Sequence, residues 1–227
     1  FFKLPVGPRM GAGSVRILTV GFHPLIDGGG MGRIGHGYGS EWHLMRYLGR
    51  HRNLLDKTIL DVVGGAGLEW IDFGFDPNSL WHDAEWKGLD FLAEDSDLQK
   101  SWREYWPQGS GIHNWDALAK IRTSGGQTEW LLVEAKANVE ELKSECKAGN
   151  IESLRKIRSA FNVTKNALGV PADADWMTPY YQYCNRVAAL HFLASQGVAA
   201  RLLFIYFCGD KGDAKRTCPA NNAEWKK

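Results

Sequence analysis

The sequence predicts an α/β domain whose mixed central sheet is flanked by helices. Three observations predict it. Two strand-like runs, Trp115–Arg122 and Thr128–Ala137, flank the turn-forming segment Thr123-Ser124-Gly125-Gly126-Gln127, which is a hairpin signal. The run Arg201–Cys208 is apolar after its first residue, as in a strand covered on both faces. A helical pattern over Pro179–Ser195 stands directly before that run. With 227 residues, 44% hydrophobic and 23% charged, the chain is long enough to bury a sizeable core and too apolar to be disordered.

In chain order, residues 1–39 form a Gly-rich arm with one strand expected at Val15–Val20. Gly30-x-Gly32-x-x-Gly35 formally matches a dinucleotide fingerprint, but no strand leads directly into it and His36-Gly37-Tyr38-Gly39 follows it, so it reads as loop. Ser40 is the expected N-cap of a helix in which Leu44, Met45 and Leu48 share a face with Glu41. A strand is expected at Leu68–Phe75, with helical stretches around Asp83–Ala93 and Leu98–Tyr105. After the hairpin, helices are expected at Val139–Lys147 and Ile151–Leu168. The tail, 209–227, is polar and reads as frayed.

Net charge is +1 and hides an asymmetry. Residues 1–58 carry net +5, the Trp-rich insertion 59–110 carries −8, and residues 111–227 carry +4. The acidic part reads as remote from any polyanion and the basic flanks as its partners. There is no apolar run of membrane-spanning length. Cys146, Cys184, Cys208 and Cys218 form no C-x-x-C pair, and Cys184 and Cys208 fall in apolar segments, which favours a reducing, cytoplasmic setting.

The hairpin carries the chemistry. In the second run Leu131, Val133, Ala135 and Ala137 face one way, and Trp130, Leu132, Glu134 and Lys136 the other. With an odd-length loop, paired positions sum to 250, and Asp116 then lies opposite Glu134 on the same face. A three-residue turn at Ser124–Gly126, with a Gly in the left-handed position, supplies that register. Two facing carboxylates repel unless a hard divalent cation lies between them, and Mg²⁺ accepts one or two protein carboxylates plus water and phosphate oxygens. Lys136 stands where it can orient a water and offset phosphate charge. Five other acid-x-Lys triplets fall on apparent helices or in the tail, where they read as solvated surface; only Glu134/Lys136 ends an apolar strand.

Asn114-Trp115-Asp116 followed by Glu129-Trp130-Leu131-Leu132-Val133-Glu134-Ala135-Lys136-Ala137 resembles the PD-(D/E)XK nuclease superfamily, with Trp115 in place of the Pro. The resemblance covers mainly 40–50, 113–138 and 179–208. It implies a restriction-endonuclease-like core of helix, three strands, helix and strand, and an Mg²⁺- or Mn²⁺-dependent nuclease acting on DNA, with RNA also open. It implies that Asp116 and Glu134 bind metal with the Ala135 carbonyl as an extra ligand, that Lys136 positions the water, and that Glu41 completes the metal shell. On the late helix Gln182, Asn185 and Arg186 form a polar cluster expected to meet phosphate or base edges, and Tyr180 is expected to stack on bases. Gln182 and Arg186 match the family's late-helix pattern only in part. His113, three residues before Asp116, reads as polar surface. Monomer and dimer remain open. The rival readings are a catalytically silent nucleic-acid-binding module of the same fold, and a protein-interaction domain presenting exposed tryptophans.

Overall fold

A computed structural model of the chain describes residues 17–22, 38–71, 85–92, 95–109, 112–210 and 215–226. The Gly30–Gly35 motif and Trp81 lie outside them.

Among the described residues seven strands and five α-helices follow one another as β1 (Ile17–Phe22), α1 (Ser40–Arg50), α2 (Arg52–Val63), β2 (Gly65–Ile71), β3 (Trp86–Lys87), α3 (Ser96–Tyr105), β4 (Asn114–Trp115), β5 (Ala117–Thr123), β6 (Thr128–Lys136), α4 (Ile151–Leu168), α5 (Tyr181–Ser195) and β7 (Ala200–Phe207). Five strands form the main sheet in the order β1-β7-β6-β5-β2. β1, β7 and β6 run parallel, while β5 is antiparallel to β6 and β2 is antiparallel to β5. β3 and β4 make a separate antiparallel pair. The class is therefore mixed α/β, as the sequence predicts.

The hairpin obeys the register expected of an odd loop. Ala117 pairs with Val133 and Arg122 with Thr128. The Gly126 amide donates to the Thr123 carbonyl, and Gly126 takes φ 78°, a conformation that glycine adopts without steric penalty. Strand alternation then sorts β6. Leu131, Val133, Ala135 and Ala137 are buried against α1 and α2 with Leu44, Tyr47, Leu55 and Ile59. Leu132 is buried on the other face, against α3, α4 and α5.

Several expectations need correction. The helix at 40–50 begins after Gly39, at φ 92°, and has no side-chain cap. The Gly39 amide donates instead to Asp210. Its buried side is His43, Leu44 and Tyr47, while Met45 is 56% exposed. Among described residues of 83–93 there is no α-helix, because β3 and a single 3₁₀ turn at Asp90–Leu92 take the segment. The pair Glu85/Lys87 accordingly lies at β3, not on a helix. Val139–Lys147 holds only a 3₁₀ turn, Val139–Leu142, which Asn138 caps by accepting the Glu141 amide. Ile151–Leu168, by contrast, is helical throughout, with Asn150 as N-cap and Gly169 at φ 67° as its left-handed stop.

The acidic segment is no peripheral insertion. It supplies the edge strand β2, and α3 delivers Trp102 and Trp106 to the core. The C-terminal tail is docked, not frayed. Trp225 is buried, with its ring 4.8 Å from that of Tyr206, and Gly209 donates to the Pro219 carbonyl. Asn222 lies so close to Gly21 that a Cβ there would fall 1.7 Å from its Oδ1.

Candidate functional site

The chain leaves β4 and enters β5 through Asp116, which belongs to neither strand. Its amide donates to the Val133 carbonyl, one position out of the hairpin register because Val133 already pairs with Ala117, and its side chain lines the same cleft as Glu134 and Lys136. Asp116 Oδ2 accepts the Ala135 amide at 2.6 Å. Oδ1 has no hydrogen-bond partner among the described residues. Lys136 Nζ lies 2.5 Å from Glu134 Oε1, and Arg186 Nε lies 2.8 Å from Glu134 Oε2.

These groups form the floor of an open cleft of about 800 Å³ between the ends of β5 and β6, the first turn of α1 and the N-terminus of α5. Ser144 holds that N-terminus in place. Its hydroxyl accepts the Gln182 amide at 2.7 Å and its carbonyl accepts the Tyr181 amide. Beyond Lys136, Glu141 accepts the Ala137 amide and the Asn138 side chain, closing the end of β6.

Burial shapes the electrostatics. Desolvation raises the Asp116 carboxyl, and the neighbouring Glu134 charge raises it further, to about 7. Lys136, the Ala135 amide and Arg186 only partly oppose this. Glu134 is more deeply buried, yet its carboxyl is held below the usual range. Burial pushes it up, and the charges and hydrogen bonds of Arg186 and Lys136 outweigh that push. One acid of the pair is thus supplied with cations and the other is short of one.

The predicted residues separate into those that converge and those that do not. Asp116, Glu134 and Lys136 converge. Gln182 lines the cleft, and its side chain has no hydrogen-bond partner among the described residues. Glu41 is exposed on the first turn of α1 and lines the same cleft. Among the described residues no three His, Cys, Asp or Glu side chains are grouped to hold a metal ion, so Glu41 does not complete a shell with the two acids. Tyr180 is 41% exposed and lies outside the cleft lining. Asn185 and Arg186 also line the cleft, and both are buried and bonded to each other, Nη1 to Oδ1 at 2.8 Å. Glu85, from the acidic segment, lines the cleft as well, so that segment is not remote from the site.

His113 is buried, not surface. Its ring packs edge-on to Trp102, Trp106 and Trp115, and neither of its nitrogens has a hydrogen-bond partner among the described residues. Burial, then the Arg186 charge, hold its pKa well below the ordinary value. Those tryptophans are core. None of the nine described tryptophans is exposed, so the feature that would favour an interaction domain is missing among the described residues.

Sequence reasoning missed the ion pair between Arg186 and Glu134. A signal for it existed. α5 contains no acid, and a cation on a buried acid-free helix must find its partner on the facing strand, where Glu134 is the carboxylate.

Comparison with known protein families, with curated proteins and with solved structures finds no match for this chain. Among the described residues no helix is long and apolar enough to cross a membrane, and all four cysteines are free thiols.

Proposed function

We propose that the chain is a divalent-metal-dependent nuclease of the restriction-endonuclease-like type, hydrolysing phosphodiester bonds in DNA. The observation that carries this reading is the meeting of Asp116, Glu134 and Lys136 on one face of the sheet, at the floor of an open cleft. The strand order supports it too. A helical layer, the three antiparallel strands β2, β5 and β6, the helix α5 and the parallel strand β7 follow in the sequence that the resemblance implies.

The residues present fit a hard cation. Asp116 offers an unpartnered carboxylate oxygen and makes no ion pair among the described residues, and the Lys136 and Arg186 charges only partly offset its burial, an environment Mg²⁺ or Mn²⁺ would relieve. Asp116 and Glu134, with the Ala135 carbonyl, would hold the ion. When bound, it supplies Lewis-acid polarisation of the scissile phosphate and of a water. Lys136 brings its ammonium to the same face, where it orients the attacking water and offsets charge on the phosphate. Gln182 offers an amide N–H from the cleft wall to a phosphate oxygen.

The test is cleavage of supercoiled plasmid, single-stranded DNA and RNA by the wild-type chain and by Lys136→Ala, with Mg²⁺, with Mn²⁺ and with chelator. The expected result is DNA cleavage by wild type that chelator removes and that K136A lacks while keeping its circular dichroism spectrum. Undiminished cleavage by K136A refutes the role given to Lys136. Cleavage indifferent to chelator refutes the metal.

A further inference from the structure

We infer that Arg186 is a positioning residue that closes Glu134 to a second divalent cation, so that the site takes one ion per chain. This rests on the nuclease reading and goes beyond it.

Arg186 is 4% exposed, and its guanidinium is held on all sides. Nε donates to Glu134 Oε2 at 2.8 Å, Nη1 to Asn185 Oδ1 at 2.8 Å, and Nη2 to the Asn114 carbonyl at 2.6 Å. Its charge centre stands 5.2 Å from the centre of the Trp115 ring. Trp115 is fully buried and is itself fixed, through Nε1, to the Gly88 carbonyl. A group held by three acceptors and an aromatic face leaves only by giving up all of them in a dry environment. A guanidinium also cannot clear the position by losing its proton.

The consequence lies in the division of the oxygens. Glu134 Oε2 is committed to Arg186, whereas Oε1 meets the Lys136 ammonium, whose one hydrogen bond among the described residues is to that oxygen, so Oε1 can pass to an ion shared with Asp116. Asp116 Oδ2 takes the Ala135 amide, which leaves Oδ1 open. With both acids ionised, the two cations balance them. One divalent ion can share Asp116 Oδ1 and Glu134 Oε1, whereas a second would need Glu134 Oε2, which the fixed Arg186 guanidinium holds. The same guanidinium grips the backbone two residues before Asp116, so it sets the spacing of both acids at once.

The experiment counts Mn²⁺ bound to the full chain without nucleic acid, by electron paramagnetic resonance of the free ion, for wild type, R186K and R186Q. Folding of each variant is checked by its melting transition. Wild type and R186K are expected to bind one Mn²⁺. R186Q, with Oε2 released, is expected to bind a second, at least about tenfold more weakly than the first, equivalent to about 1.4 kcal/mol. Two ions of similar affinity in wild type overturn the inference even if R186Q does not fold. A folded R186Q that still binds one ion overturns it as well. Both outcomes leave chelator-sensitive plasmid cleavage intact, whereas wild type that binds no Mn²⁺ removes the nuclease reading together with this inference.

Discussion

The Ala135 amide donates to Asp116 Oδ2 at 2.6 Å, which ties the acid that opens one strand to the residue between the acid and the lysine of the next. The Asp116 carboxylate is thereby held by the main chain, while the Glu134 carboxylate is held by the Lys136 and Arg186 side chains. Preorganisation of this kind is what a site stabilising charge in a transition state requires.

The Asp116 carboxyl, raised to about 7, makes stability depend on pH in a defined direction. The folded chain holds this proton more tightly than the unfolded chain, whose Asp titrates near 3.8. The favourable contribution is complete below about pH 4 and is lost as pH rises through about 7. Asp116→Asn is therefore expected to melt higher than wild type at pH 8, with the gap shrinking toward pH 5. Mg²⁺ should raise the wild-type Tm at pH 8 and leave D116N unmoved. Equal melting curves at both pH values would show that Asp116 carries no such strain.

His113 acts with the opposite sign. Its depressed pKa means that the folded chain refuses a proton that the unfolded chain accepts near 6.5. Stability from the neutral ring is present above that value and falls as pH drops below it. His113→Phe keeps an aromatic ring among Trp102, Trp106 and Trp115 and removes the titration. The variant should lose less Tm than wild type between pH 7 and pH 5, measured by calorimetry. Parallel pH profiles for the two chains would contradict this account.

Glu134 and Arg186 are both almost fully buried, so removing one strands the other. Breaking such a pair costs on the order of 3–5 kcal/mol, because an uncompensated charge stays behind. E134Q and R186M should each destabilise by about that much, and the double variant by clearly less than their sum. Additive losses in a denaturant double-mutant cycle would mean that the pair is not coupled.

The docked tail is equally testable. Trp225 is 7% exposed and packs on Tyr206, at the end of β7 beside Lys136 of β6. Trp225→Ala is expected to cost about 3 kcal/mol. The loss should appear as a lower denaturant midpoint. An unchanged midpoint would return the tail to the frayed state its polar composition suggested.

Local chemistry made part of this legible from sequence. The register of the hairpin followed from Ser124-Gly125-Gly126, and α4 from Asn150 at one end and Gly169 at the other, because turn and cap residues act within a few positions. Period-2 alternation in β6 put Glu134 and Lys136 on one face for the same reason. What failed depended on distant partners. The polar tail docks because Trp225 finds Tyr206, and the helical pattern expected around Asp83–Ala93 gives way because Trp86 pairs with Trp115. Arg186 resembled a residue reaching for phosphate, since nothing within α5 shows that Glu134 is waiting across the sheet. Glu41 was expected to join the acids by analogy of position, and its place at the cleft rim is set by how α1 packs, which no local pattern encodes.

The sheet's outer strand β1 has a consequence for how the chain is made. Among the described residues β1 pairs only with β7, Ile17 beside Leu202 through Phe22 beside Phe207. During synthesis β1 must wait, its edge unsatisfied, until β7 has emerged. Closure of the sheet thus waits on β7, and during that interval β1 is open to a chaperone or to a wrong strand.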